Sequence, residues 1–288
     1  MKVRECLVKS RSLLAAAAIS EADREARLIC AFVLTVPLNQ LFLHLEADLT
    51  AKQKQQIFAL VQKRSQAHPL QYLLGEQEFM SLDFMVDPNV LIPRWDSERV
   101  VEAALAAVKN KDKLLIADIC CGSGALGLSL AYYLPQAEVF LSDISQKALT
   151  VASKNAHRLQ VFERCHFLQG DLLEPFLAQK RQFDLVITNP PYIRTQELST
   201  LPPDVQKEPL LALDGGQDGL AFYRRLLKGL PQVLARKGFL VMETGFDQKA
   251  EISELLLQSK FHVLQYIDDF SGNHRGVVSQ MGDKEFVL

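Results

Sequence analysis

Asn189-Pro190-Pro191-Tyr192 carries the most specific chemistry in this chain. Two consecutive prolines stiffen the backbone, remove two N–H donors and leave carbonyl oxygens free to accept. A planar NH2 group suits such a place: Asn189 Oδ1 and the Pro190 carbonyl would each accept one of its hydrogens, and Tyr192 would offer a flat face. The nitrogen lone pair of an amide or exocyclic amine is delocalised. The task is therefore to hold that nitrogen in line with an electrophilic methyl, and good orientation can remove about 7–11 kcal/mol of barrier. The reading calls for no nucleophilic side chain or metal, and since the proton can leave after transfer it assigns no general base. The plainer alternative is a rigid loop, because Asn before Pro is a common turn starter.

A second group of residues could hold the methyl donor. Asp118-Ile119-Cys120-Cys121-Gly122-Ser123-Gly124 ends an apolar run, and Ala125 to Leu134 follows with helical spacing, the arrangement of a ligand-binding turn after a strand. About twenty residues on, Ser142-Asp143 ends the next run, where a carboxylate can accept from both hydroxyls of a ribose. Helix capping is the alternative for Asp143, although Ser145 is better placed for it. The turn is read as Cys-Cys-Gly-Ser-Gly rather than GxGxxG, with no other pyrophosphate site, so a nucleoside without phosphates is expected. S-adenosylmethionine fits, its sulfonium carrying the methyl and S-adenosylhomocysteine being the product. In Gln169-Gly170-Asp171-Leu172, Asp171 offers a polar contact and Leu172 an apolar wall to an adenine ring; a simple turn aspartate is the competing reading.

These segments need a scaffold that brings strand ends together. Lys113–Ile119, Glu138–Ile144, His166–Gln169, Phe183–Thr188 and Gly238–Glu243 read as short buried strands, most of them separated by helical stretches, which predicts a parallel sheet covered by helices on both faces. Phe261–Ile267 and Gly276–Met281 are joined by a link too short for a helical crossover, so the last strand is expected to pair antiparallel. Ahead of the sheet, Met1 to about His68 has helical spacing (Leu28, Ala31, Phe32; Leu60, Val61), with Asp48-Leu49-Thr50 as a plausible cap. Glu78–Val86 suits a short hairpin, and a helix is expected from Ser97 to about Val108. The expected division is a helical domain at 1–75, a hairpin linker at 76–95 and the α/β domain at 96–288.

A formal net charge of −2 supplies no general attraction to nucleic acid or anionic membrane. No stretch approaches the ~18 apolar residues of a membrane span, and the apolar run Leu13–Ile19 reads as ordinary helix rather than a signal core. Five cysteines without CxxC or Cys/His metal spacing suggest a reducing cytoplasm and no structural zinc.

The chain resembles one family closely: the PrmC/HemK protein-(glutamine-N5) methyltransferases, which modify the glutamine of the Gly-Gly-Gln motif in peptide chain release factors. The resemblance covers nearly the whole length. It includes Pro69-Leu70-Gln71-Tyr72-Leu73-Leu74-Gly75, Phe79-Met80-Ser81-Leu82-Asp83-Phe84, Val90-Leu91-Ile92-Pro93-Arg94 and the glycine turn. Further along it takes in Asn189 to Tyr192, Glu208-Pro209, Ala212-Leu213-Asp214-Gly215-Gly216 and Asp218-Gly219. It implies a seven-stranded Rossmann-like class I methyltransferase sheet with a small N-terminal helical domain that engages class I release factors. It also implies that Cys120–Gly124, Asp143 and Leu172 contact the cofactor while Asn189–Tyr192 hold the substrate glutamine. Two positions depart from the family: its Arg-Pro-Glu-Thr-Glu is here Arg94-Trp95-Asp96-Ser97-Glu98, and its Gly-Thr-Gly-Ser-Gly turn starts with Cys120-Cys121. The competing enzyme reading is a methyltransferase of nucleobase amines, which must flip a base and grip phosphates. The chain shows neither a basic patch interleaved with aromatics nor a large target-recognition insertion, so no direct nucleic-acid partner is expected. A binding protein that merely keeps the fold is the reading from outside enzymology.

Overall fold

Runs such as Leu114–Ile119 and Phe183–Thr188 are apolar on both sides, so they stay out of water only as inner strands with helices over both faces. The computed structural model describes residues 1–109 and 111–282; Asn110 and residues 283–288, which close the expected 96–288 domain, lie outside the described residues. The chain clusters into two compact units, one of Met1–Glu76 with Pro202–Lys207, the other of Gln77–Leu201 with the chain from Glu208 onward.

The first unit holds helices α1 (Val3–Ala16), α2 (Ala22–Leu34), α3 (Ala51–Ser65) and α4 (Leu70–Leu74). Their core is Val3, Cys6, Leu14, Ala26, Ile29, Cys30, Ile57, Val61 and Leu70. Thr50 caps α3 as expected, accepting from the Gln53 amide while Gln53 Oε1 accepts from the Thr50 amide. Phe32, counted with the apolar face of α2, is instead 47% exposed, whereas Ile29 and Cys30 carry that helix's buried side. Arg64, almost buried, donates from Nε to Glu25 (2.6 Å) and from Nη2 to Asp204 (3.4 Å).

The second unit begins with the expected hairpin, β1 (Glu76–Phe79) with β2 (Leu82–Met85), followed by α5 (Glu98–Val108). Strand and helix then alternate: β3 (Leu114–Ile119), α6 (Ala125–Tyr133), β4 (Ala137–Asp143), α7 (Gln146–Arg158), β5 (Cys165–Gln169), α8 (Glu174–Gln179) and β6 (Phe183–Thr188). After them come α9 (Ala221–Val233), β7 (Leu234–Glu243), α10 (Lys249–Gln258), β8 (Phe261–Asp268) and β9 (His274–Met281). Glu76 itself falls in the first unit.

Among the described residues the main sheet has seven strands in the order β5-β4-β3-β6-β7-β9-β8, parallel except for β9, which pairs antiparallel with both β7 and β8. Side chains alternate between two cores. Ile116, Leu185 and Val241 join Val100 of α5, Leu128 of α6 and Leu149 of α7 on one face. Ala117, Val186 and Met242 join Phe176 of α8, Leu226 of α9 and Ile252 of α10 on the other. The chain leaves β3 towards β4 and β5 on one side, then returns to place β6 on the other. Crevices for ligands open at the carboxyl ends of strands at such a reversal, here between the loops after β3 and β6.

Candidate active site

Those two loops leave adjacent strands at one level, since Ile119 is registered with Thr188 and the Thr188 hydroxyl donates to the Ile119 carbonyl (2.8 Å). A cavity of about 340 Å³ opens above them. Of the residues expected to bind a cofactor, Asp118, Cys120, Cys121, Gly122, Ser123, Asp143, Asp171 and Leu172 line it, and Asn189 and Pro191 of the proline segment line it too. Gly124, Pro190 and Tyr192 are not among its lining. Gly124 immediately precedes α6 at its N-cap, while buried Pro190 and half-buried Tyr192 stand beside Asn189 and Pro191 in the proline segment.

The glycine turn is built around two carboxylates. Asp143 Oδ2 accepts from the Gly122 amide (2.9 Å) and Oδ1 from the Ser145 amide (2.8 Å), while Ser145 itself caps α7. Asp118 is buried and its Oδ2 accepts from the Gly127 amide (2.8 Å). A Cβ on Gly127 would stand 2.7 Å from that oxygen, so only glycine lets α6 approach β3 this closely. This corrects the reading of the turn: Gly122-Ser123-Gly124-Ala125-Leu126-Gly127 does have the GxGxxG spacing. The spacing does not make a pyrophosphate cradle here. The Gly122 amide is engaged by Asp143, and the Asp118 carboxylate occupies the start of α6, where it would repel a phosphate.

The charge balance favours a cation. Arg225 pairs with Asp171 and Arg94 with Glu208, whereas Asp118 and Asp143 form no ion pair among the described residues. Burial pushes the Asp118 carboxyl up to about 7, with the Gly127 amide pulling it down and Asp143 adding to the rise. Burial likewise raises Asp143 against the amides of Ser145, Gly122 and Ile144. An uncompensated pair of carboxylates in a cavity is stabilised by a positively charged ligand, and a sulfonium nucleoside with an ammonium group is one. Phe222 and Leu172 supply apolar wall on the side of Asp171 and Arg225. Cys120 takes a left-handed backbone (φ +59) where the resemblance expects glycine. Its thiol is kept neutral by burial and by the carboxylates of Asp143, Asp118 and Asp171.

The proline segment is held from behind. Gln248 Nε2 donates to the Tyr192 carbonyl (3.1 Å), and the Tyr192 hydroxyl donates to Glu243 Oε1 (3.4 Å). Burial, and then the Glu243 charge, raise the Tyr192 phenol well above its usual range. The segment Leu213–Gly219 clamps the following residues, with the Ile193 amide donating to Leu213 and the Gly215 amide to Ile193. Gly219 (φ +74) comes so close that a Cβ there would lie 2.4 Å from the Tyr192 carbonyl. Two other stretches quoted for the resemblance meet here, because Glu208 accepts from the Ile92 amide (3.0 Å) and from Arg94.

Sequence reasoning missed Glu243, Phe222, Arg225 and Asn155. Fully buried Asn155 donates to the carbonyls of Ser123 (2.9 Å) and Met85 (3.0 Å) and accepts from the Met85 amide (2.7 Å), tying the hairpin to the glycine turn. A signal existed: Asn155 is a polar residue on the apolar face of α7, beside Ala152 and Ala156.

Two stretches of the chain match known families. Residues 5–75 match the PrmC N-terminal domain and residues 100–202 the methyltransferase small domain. A release factor glutamine methyltransferase of Moorella thermoacetica is 42% identical, the match covering 96% of this chain and 97% of that one. The chain belongs to the release factor glutamine methyltransferases. Another member, from Clostridium botulinum, is 36% identical over 96% of this chain and 98% of its own. The fold is shared more widely: a crystal structure of a methyltransferase from Pyrococcus furiosus, 16% identical, superimposes with a TM-score of 0.50 over 70% of this chain and 89% of that one. The family and its sheet imply use of S-adenosylmethionine. Among the described residues no single helix is long and apolar enough to cross a membrane.

Proposed function

We propose that this protein transfers the methyl group of S-adenosylmethionine to the side-chain amide N5 of the glutamine in the Gly-Gly-Gln motif of class I peptide chain release factors, supporting translation termination in the cytoplasm. The observation that carries the reading is that Asn189 lines the same cavity as the unpaired carboxylates Asp118 and Asp143. Donor and acceptor residues therefore face one space, in a chain whose family is named for release factor glutamine. The bound cofactor supplies an electrophilic methyl on a sulfonium. Asp143 accepts from its ribose hydroxyls, Asp171 and Leu172 meet its adenine, and the backbone from Cys120 to Gly124 gives it close approach. Asn189 Oδ1 and the Pro190 carbonyl accept the two hydrogens of the glutamine amide, Tyr192 covers its plane, and Pro191 keeps the segment rigid. With the nitrogen held this way, transfer needs alignment more than activation. We assign the helical residues 1–75 to engaging the release factor, 76–95 to a hairpin linker and 96–288 to methyl transfer, with no direct contact to nucleic acid or membrane.

The test is transfer from labelled S-adenosylmethionine to a purified release factor, beside a copy whose Gly-Gly-Gln glutamine is alanine and beside unmodified DNA. Label on the intact factor alone is expected. Label on DNA alone would transfer the proposal to nucleobase amines, and no label with cofactor binding intact would remove it in favour of a binding role.

A further inference from the structure

Asn189 and Glu243 sit one step beyond the last registered pair of β6 and β7, Thr188 with Met242. In a parallel pair, residues at one level project to one face, which brings the two side chains together at the strand ends. Glu243 is 3% exposed, receives the Tyr192 hydroxyl at Oε1, and has its backbone carbonyl held by Tyr223 (2.9 Å). Its second oxygen, Oε2, is buried with no hydrogen-bond partner. A buried carboxylate oxygen without a donor is costly unless a donor arrives in the working state.

We infer that Glu243 is a positioning residue for methyl transfer, fixing which end of the Asn189 amide faces the acceptor. The inference rests on Asn189 being the acceptor-binding residue. An asparagine amide has one accepting end and one donating end. Against a carboxylate only the Nδ2 end is favourable, so Oδ1 turns outward and accepts from the glutamine NH2. With the amide reversed, two NH2 groups would face each other and Oδ1 would meet a carboxylate. Protonated Glu243 loses this preference, since it can donate to Oδ1 and hold the reversed amide.

The groups facing Glu243 are Tyr192 from the loop after β6, Asp96 and Ser97 from the turn before α5, Arg275 from β9, and Tyr223 from α9. Burial pushes its carboxyl up to about 7, Asp96 adds to the rise, and Ser97, Arg275 and Asn189 act against it. Turnover should therefore increase with pH through about 7, as the carboxylate forms.

The experiment compares Glu243→Gln and Glu243→Leu with the wild type for methyl transfer to a release factor from pH 6 to 8.5 at saturating S-adenosylmethionine, which removes the pH dependence of cofactor binding, with cofactor affinity measured separately by calorimetry. Glu243→Leu should lose on the order of 100-fold in kcat with cofactor affinity within about twofold, the effect expected for one preorganised polar contact. Glu243→Gln still presents an oxygen to Asn189, so it should lose less and show no pH step near 7. Variants that bind cofactor normally, turn over at the wild-type rate and keep the wild-type pH profile would overturn the inference alone. Absence of label with the wild type would overturn the proposed function and this inference with it. If Glu243→Leu fails to bind cofactor, the Glu243→Gln profile decides: a retained step rejects the inference and a lost step supports it.

Discussion

Asp118 has a folded-state pKa of about 7, above the 3.8 of an ordinary aspartate, so its contribution to stability is complete below about pH 4 and is lost as pH rises through 7. Asp118→Asn keeps an acceptor for the Gly127 amide and removes the buried charge. Without cofactor this variant should melt above the wild type at pH 8, with the gap closing as pH falls towards 4. A cationic ligand reverses the preference, so wild-type affinity for S-adenosylmethionine should tighten from pH 6 to 8, and calorimetry on Asp118→Asn should find that dependence gone. Asn189→Ala tests the proposed acceptor side. It should lower turnover by about 100- to 1000-fold while cofactor affinity changes far less, and wild-type turnover would remove Asn189 from the acceptor site. Asp143→Ala should weaken cofactor binding, checked by the same calorimetry. Asp143 and Asn189 could be singled out from the sequence because Asp143 closes one buried run after the glycine turn and Asn189 follows another directly ahead of two prolines, both local patterns. Glu243 was not, because its use depends on a neighbouring strand that lies far away in sequence.

At the level of elements, buried runs named their strands closely: Phe183–Thr188 stands as expected, and the others differ mainly at their ends. The largest difference is β7, which starts at Leu234 rather than Gly238. Charged Arg236 and Lys237 interrupt the apolar run in its first half, and the strand passes them through an irregularity where Lys237 has φ +62 and the β6 register shifts. At β9, Asn273-His274-Arg275 read as turn residues, yet His274 is buried and already paired with Asp268. Polar ties between elements were less legible, and they bear directly on the site. Asn155→Ala would leave the Met85 amide and the Ser123 carbonyl without their partner. It should reduce stability by about 1–3 kcal/mol in denaturant unfolding and loosen cofactor binding through the glycine turn. A value near zero would mean that water replaces Asn155 without loss.

For the whole molecule, every residue lining the cavity belongs to the second unit. Ligand held only there stabilises only what unfolds with it. At 100 times its dissociation constant, S-adenosylmethionine should add about 2.7 kcal/mol to that unit, and scanning calorimetry should show its transition moving up by about 5–10 °C. A transition that does not move would place the cofactor elsewhere. The broad division into helices first and a mixed sheet afterwards was visible from the change of hydrophobic period along the chain. What no period could show is that Pro202–Lys207, far down the chain, belongs to the first unit.

That late segment bears on how the protein is made. Asp204, which receives Arg64 from α3, follows it by 140 residues. At about 5–20 residues per second, a ribosome needs on the order of ten seconds to reach it after finishing α3. The four N-terminal helices thus emerge first but wait for this polar partner until β3 to β6 have been synthesised. A fragment cut at the end of α4 would keep Glu25 beside Arg64 and lose Asp204 for good. Expression of the helical part by itself should therefore give a less stable bundle than the one within the full chain.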